Sequence, residues 1–324
     1  MSGEIGGGGV MSKANRSDST GANAHEVIGT LREQLASILA GKEDAINQVL
    51  ITLLAGGHLL IEDVPGVGKT TLAHGLAASL DTDFGRIQFT ADLLPADIIG
   101  VEIFDPADKR FVFHPGAIFH HIVLADEINR ATPKAQSALL EAMAEGQVSI
   151  ERETRALPDP FFVIATQNPH EHLGTFPLPE SQLDRFFMRI SLGYPDMDAE
   201  RKLLLGEAGH TRLASIRTVA RWQDVLAARN DIEQLKVSEK LMDYVLRLLE
   251  ESRNGEWLSL GVSPRAGRDL MQAARAHAWL AGQDYVAAAD IQAVWLPCLA
   301  HRVIAADDTE AALMSLLESH AVPA

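Results

Sequence analysis

Ile61-Glu62-Asp63-Val64-Pro65-Gly66-Val67-Gly68-Lys69-Thr70-Thr71 is the stretch on which the fold turns. It lies between the apolar run His58–Ile61, which reads as a strand, and Lys69–Ser79, which reads as a helix. A strand that passes through glycines into a helix suits an anion. Gly66 and Gly68 permit backbone angles that aim several N–H groups inward, and the helix N-terminus adds partial positive charge. Lys69 is placed to reach terminal phosphates and Thr70 to offer its hydroxyl to Mg²⁺. Strict G-x-x-x-x-G-K-[ST] spacing asks for glycine at position 63, where this chain has Asp63. Taken alone, the stretch also fits a glycine-rich turn that holds no ligand.

Downstream, Ile122-Val123-Leu124-Ala125-Asp126-Glu127 is an apolar strand ending in two acids. Such a pair is usually a solvated loop, but a phosphate-binding loop upstream changes its meaning. Asp126 is then the residue that orients Mg²⁺ through its water shell, and Glu127 the general base that polarises water. The next apolar strand, Phe161–Thr166, leads into Gln167-Asn168-Pro169. The Asn168 amide either contacts the γ-phosphate or the attacking water, or belongs to an ordinary Asn-Pro turn.

Further strand candidates are Ile87–Thr90 and Met188–Leu192, with helical stretches such as Pro133–Ala144 between them. Alternating strands and helices predict a parallel sheet covered on both faces. Two hairpins interrupt the alternation. Val101–Phe104 pairs with Arg110–His114, and Gln147–Glu151 with Thr154–Leu157. Beyond Tyr194 and Pro195 only helices are predicted, near Asp198–Ala208, Trp222–Ala228, Ser238–Ser252, Pro264–Leu280 and Ala287–Leu299. Upstream, Glu26–Ala40 and Asp44–Leu54 read as helices, and residues 1–24, with the run Gly6–Gly9, as a disordered leader. Met11 is an alternative candidate for the translation start. The expected division is a leader at 1–24, an α/β nucleotide-binding domain at 25–195 and a helical lid at 196–324.

The 324 residues are 47% apolar, which supplies a core, and carry a net charge of −16. Residues 25–195 hold 12 basic and 23 acidic side chains, so neither the whole chain nor this part offers a basic face for nucleic acid. The single cysteine, Cys298, excludes an intrachain disulfide, and with no secretory leader or spanning apolar run a cytoplasmic protein is expected.

These residues resemble the MoxR-type AAA+ ATPases, in the clade with an insert in the second helix and a hairpin before the sensor strand. The resemblance covers about residues 26 to 320 and is carried by four stretches. They are Asp126-Glu127-Ile128-Asn129-Arg130-Ala131-Thr132-Pro133-Lys134-Ala135-Gln136, Ala165-Thr166-Gln167-Asn168-Pro169, Gly174 through Phe186, and Ser263-Pro264-Arg265-Ala266. The resemblance implies an α/β AAA+ parallel sheet sandwiched by helices, followed by an all-α lid. It implies ATP binding by Asp63, Val64, Pro65, Gly66, Val67, Gly68, Lys69, Thr70, Thr71, Asp126 and Arg265, with Mg²⁺ at Thr70 and Asp126. Glu127, Asn168 as first sensor, and Arg185 as arginine finger would be catalytic, and Arg265 would be the second sensor. Arg185 otherwise pairs locally with Asp184 or Glu180, and Arg130 is a further candidate for a subunit boundary.

By the same resemblance the protein is expected to be an ATPase of chaperone type, a homo-oligomeric ring of six subunits, acting on a protein client through a von Willebrand factor A domain adaptor. Two alternatives stand beside it. A DNA-acting motor of the same clade would use Lys109, Arg110, Arg152 and Arg155 of the hairpins. A monomeric small-molecule kinase would use the helical part as an acceptor lid. The pairs His120-His121 and His170-Glu171-His172 lack cysteine partners and are not read as metal ligands. Trp222, Trp257, Trp279 and Trp295 are read as core of the helical part, and Cys298 as a small buried hydrophobe.

Overall fold

The computed structural model describes residues 18–150, 153–169, 174–195, 197–204 and 216–322. The chain enters through helices α1 (Asp18–Ile38) and α2 (Glu43–Leu54). Strand β1 (Leu59–Glu62) runs into α3 (Lys69–Ser79), and β2 (Phe84–Gln88) is followed by the short α4 (Pro95–Ile99). A ribbon of β3 (Gly100–Asp105) and β4 (Arg110–Pro115) precedes β5 (Ile122–Asp126) and α5 (Pro133–Glu145). A second ribbon, β6 (Gln147–Ile150) with β7 (Glu153–Ala156), precedes β8 (Phe162–Gln167), α6 (Glu180–Leu183) and β9 (Met188–Ile190). Among the described residues the helical part has α7 (Met197–Leu204), α8 (Trp222–Glu233), α9 (Glu239–Asn254), α10 (Pro264–Leu280), α11 (Ala288–Leu299) and α12 (Thr309–Glu318).

The five-stranded sheet has the order β2-β5-β8-β1-β9, with every pairing parallel. Successive side chains on a strand point to opposite faces, and the two cores follow that alternation. Leu60, Val123, Val163 and Ala165 face α5 and the ribbons. Leu59, Ile61, Ile122, Leu124 and Ile164 face α1, α2 and α3. The second core continues without a break into Trp222, Val225, Leu248, Leu270 and Trp295 of the helical part. Parallel sheet, helical layers and all-helical C-terminal part agree with the predicted fold.

Three local differences have physical reasons. α1 starts at Asp18, inside the expected leader, and Ala24 is buried because it continues the spacing of Ile28, Leu31 and Leu35. Residues 1–17, with Gly6–Gly9 and Met11, lie outside the described residues. β2 is Phe84–Gln88, where Ile87–Thr90 was expected, because pairing to β5 begins at Phe84 opposite Ile122. α12 was not anticipated; Asp308 caps it by accepting from the N–H groups of Glu310 and Ala311. Trp257 is 39% exposed, whereas Trp222, Trp279 and Trp295 are buried.

The hairpins form two separate ribbons. Arg155 ties them, bonding Glu102 of one at 3.2 Å and Glu153 of its own at 2.6 Å, with its guanidinium 4.1 Å from the Phe113 ring centre. Arg110 pairs with Asp108 at 2.9 Å. Both cations are thus engaged by acids; Arg152 lies outside the described residues. Among the described residues no helix is long and apolar enough to cross a membrane.

Candidate active site

β1 ends at Glu62 and α3 begins at Lys69, so the intervening loop must turn within a few residues. Gly66 and Gly68 do this with φ values of 90° and 105°, a region disfavoured for residues with a Cβ. α3 starts on Gly68 with no side-chain cap, which leaves its first N–H groups for an anion. Lys69 Nζ donates to the main-chain oxygens of Asp63 at 2.8 Å and Val64 at 3.2 Å. Partial burial lowers its pKa, while the charges of Asp63, Asp126 and Glu127 act the other way. Pro65, Gly66, Gly68, Lys69, Thr70 and Thr71 line a cleft of about 390 Å³ at the C-terminal edge of the sheet.

Parallel pairing brings the end of β5 to the same edge, and Asp126, Glu127 and Asn168 line the opposite side of this cleft. Thr166, on the strand between, organises both acids: its hydroxyl donates to Asp126 Oδ1 at 2.7 Å and accepts from the Glu127 N–H at 2.9 Å. Glu127 itself has φ of 57°, the left-handed region, which turns the chain sharply after β5. Two residues of the cleft were missed in the sequence. Arg86 bonds Asp126 Oδ2 at 2.6 Å, and Gln88 Nε2 donates to Glu127 Oε2 at 2.9 Å. Their signal is the alternation Arg86-Ile87-Gln88-Phe89, in which the apolar pair is buried and the polar pair exposed. Arg130 Nε lies 3.3 Å from Glu127 Oε2, so Arg130 belongs to the acid cluster of its own chain.

Arg185 and Arg265 do not line this cleft. Both line a second one, of about 410 Å³, with His58, Arg268, Asp269 and Gln272. Residues preceding β1 and β9, Gly57, His58 and Phe187, form its wall, so it opens at the N-terminal edge of the sheet. The start of α10 docks there, which is why Arg265 is remote from Lys69 of its own chain. Arg185 Nη1 donates to the Leu140 carbonyl at 2.6 Å, while Asp184 is engaged by Ser263 and Arg302. His58 accepts from the Val163 N–H and donates to the Met143 carbonyl; burial pushes its pKa down to about 4, so it adds no charge at neutral pH.

Family models match the chain as "ATPase family associated with various cellular activities (AAA)" over residues 58–188 and as "AAA lid domain" over residues 250–317. The uncharacterized protein YeaC of Bacillus subtilis is 44% identical over 281 residues, covering 86% of this chain and 88% of its own length. Chaperone MoxR1 of Mycobacterium tuberculosis is 40% identical over 285 residues, covering 84% of this chain and 74% of its own. The chain belongs to the MoxR-type AAA+ ATPases. A solved structure from Cytophaga hutchinsonii superposes with a TM-score of 0.87 at 35% identity, covering 95% of this chain and 98% of that one.

Within this MoxR-type ATPase, Asp63 has a different job from the one its motif position suggests. Its carboxylate is buried and accepts from Ser191 Oγ at 3.0 Å, from the Leu192 N–H, and from the Gly193 N–H at 3.2 Å. Asp63, Val64 and Val67 are absent from the cleft lining, which takes Pro65, Gly66, Gly68, Lys69, Thr70 and Thr71 from this stretch. Replacing Asp63 by Gly restores the strict motif yet orphans three donors, at about 1 kcal/mol or more each. Asp63→Gly is expected to lose about 2–4 kcal/mol of stability with nucleotide affinity little changed; denaturant melts and nucleotide titration check both. The Thr70 hydroxyl and the Asp126 carboxylate are hard oxygen donors of the kind Mg²⁺ takes alongside phosphate oxygens and water. Each Asp126 oxygen carries one hydrogen bond and keeps a further lone pair, so the donor set fits Mg²⁺.

Of the remaining sequence readings, His121 is held by Asp83 at 2.5 Å and stacks on Trp222, and His170-Glu171-His172 lies outside the described residues. Cys298 is fully buried, and burial pushes its thiol up to about 12, which makes it inert.

Proposed function

We propose that this chain hydrolyses Mg-ATP within a homo-oligomeric ring, hexameric by family resemblance, and uses the cycle to remodel or mature a partner protein. One observation carries the proposal: the groups the chemistry needs are divided between opposite edges of one parallel sheet. Lys69, Thr70, Asp126, Glu127 and Asn168 lie at the C-terminal edge, and Arg185, Arg265 and Arg268 at the N-terminal edge. Strands of three to six residues separate these edges by roughly 10–20 Å, beyond the reach of a side chain. A head-to-tail contact between identical subunits brings one edge to the other, and such contacts close into rings.

In this arrangement Lys69 leaves the carbonyls of Asp63 and Val64 for the terminal phosphates, which the N–H groups at Gly66 and Gly68 also grip. Glu127 takes the proton of the attacking water, with Asn168 fixing the water's position. Thr70 and Asp126 would hold Mg²⁺, whose charge would offset that of the phosphate oxygens. Arg86 and Gln88 hold the two acids at their present spacing. Arg185 of the neighbouring subunit shares the charge that develops as the phosphoryl group transfers, so turnover depends on assembly.

The protein client is supported by the name of the mycobacterial relative, a chaperone, and by an acidic chain that does not attract nucleic acid. A von Willebrand factor A domain adaptor is the proposed route to that client. The composite site is tested by mixing two inactive variants. Lys69→Ala cannot grip ATP but keeps Arg185; Arg185→Ala keeps the ATP cleft. Co-assembled, they are expected to regain a substantial fraction of wild-type turnover at the interfaces where both intact halves meet. A mixture no more active than its components would sink the shared site and favour a self-contained subunit.

A further inference from the structure

We propose that Arg302 is a positioning residue that locks the Arg185 loop and the start of α10 into one register, so that Arg185 and Arg265 meet a neighbour's phosphates together. This rests on the assignment of Arg185 as a finger. Arg302 follows α11 and is only 4% exposed. Its guanidinium donates to the Phe186 carbonyl from Nε and Nη2, to the Phe187 carbonyl at 3.2 Å and to Asp269 Oδ2 at 3.0 Å. Asp184 Oδ1 lies 3.8 Å from Nη1. The next residue back, His301, sets its Nε2 2.9 Å from the same Phe186 carbonyl.

These partners belong to two elements. Asp184, Phe186 and Phe187 flank Arg185 on both sides. Asp269 sits on α10 four residues after Arg265 and next to Arg268. A direct bond joins the elements as well: Ser263, which caps α10 by accepting from the Ala266 N–H, donates to Asp184 at 3.3 Å. Arg302 is therefore the buried clasp between the two cation-bearing segments of the second cleft.

Stability alone is a weak reason for this cluster. A buried ion pair is often matched by an apolar side chain of similar volume, because desolvating two charges offsets their attraction. Geometry is what a guanidinium adds: a rigid planar fork that holds two successive carbonyls and a carboxylate at fixed angles. An ammonium at the same place keeps the charge opposite Asp269 and loses the fork.

The experiment places Arg302→Lys and Arg302→Met in the wild-type chain and in an Arg185→Ala/Arg265→Ala background. Single-turnover and steady-state hydrolysis are measured at protein concentrations that saturate assembly, with a thermal melt for each variant. In the wild-type background, turnover is expected to fall about tenfold with KM within about twofold, because the Lys69 cleft is untouched. In the double-alanine background the same substitutions are expected to change turnover less than about twofold, since the cations that Arg302 positions are gone. Equal losses in both backgrounds, or unchanged turnover in a folded variant, would overturn the proposal. Should Arg302→Met fail to fold, Arg302→Lys decides, since it keeps a cation beside Asp269. Wild-type turnover by Arg185→Ala/Arg265→Ala itself would instead remove the finger assignment.

Discussion

Glu127→Gln is expected to bind ATP about as tightly as the unaltered chain and to hydrolyse it roughly a hundred to a thousand times more slowly. Binding energy at this cleft is expected from the opposite wall, which Lys69 and the glycine loop line. The amide fills the same volume and still accepts from Gln88, which now bonds Glu127 Oε2 at 2.9 Å. What it loses is basicity, so the water keeps its proton. Nucleotide titration and turnover separate the two effects. Wild-type turnover would exclude Glu127 as the base; lost binding would make it a structural support of the cleft.

Arg185→Ala is expected to lower turnover about a thousandfold in the fully assembled protein, the scale at which an arginine finger acts on phosphoryl transfer. The local cost is about 1 kcal/mol, since one hydrogen bond, to the Leu140 carbonyl, is the contact removed. Arg185→Lys is expected to recover little, because a point charge cannot span two phosphate oxygens as a fork does. Sedimentation alongside hydrolysis distinguishes a missing finger from a ring that fails to form. Hydrolysis at the wild-type rate by an assembled Arg185→Ala protein would end the assignment.

What the sequence made legible is the chemistry fixed by neighbouring residues. A glycine loop between strand and helix, and two acids at a strand end, dictate backbone direction locally, and parallel pairing then brings Lys69, Thr70, Asp126, Glu127 and Asn168 to one cleft. Features that depend on distant partners were hidden. Asp63 looks like a phosphate-loop residue until the segment Ser191–Gly193 comes to rest on its carboxylate. Arg265 is grouped with the ATP-binding residues by resemblance, and only the docking of α10 puts it at the other sheet edge from Lys69. Arg86 was passed over because the expected strand began three residues late, and Gln88, inside that strand, shows its role only once β2 lies beside β5. The ends of the helical part were read shortest where a single cap, Asp308, starts a helix of modest amphipathic pattern.

One structural feature bears on how such proteins can be rearranged. α1, α2 and α8 pack on one another, and Ile28, Leu35 and Leu50 share a core with Trp222, Val225 and Leu270. The lid is therefore not a portable module that ends where the sheet ends. A chimera that exchanges lids between two relatives has to carry the two N-terminal helices along with the donor lid. Otherwise each half presents a bare apolar face, and the product of the exchange is expected to aggregate before it folds.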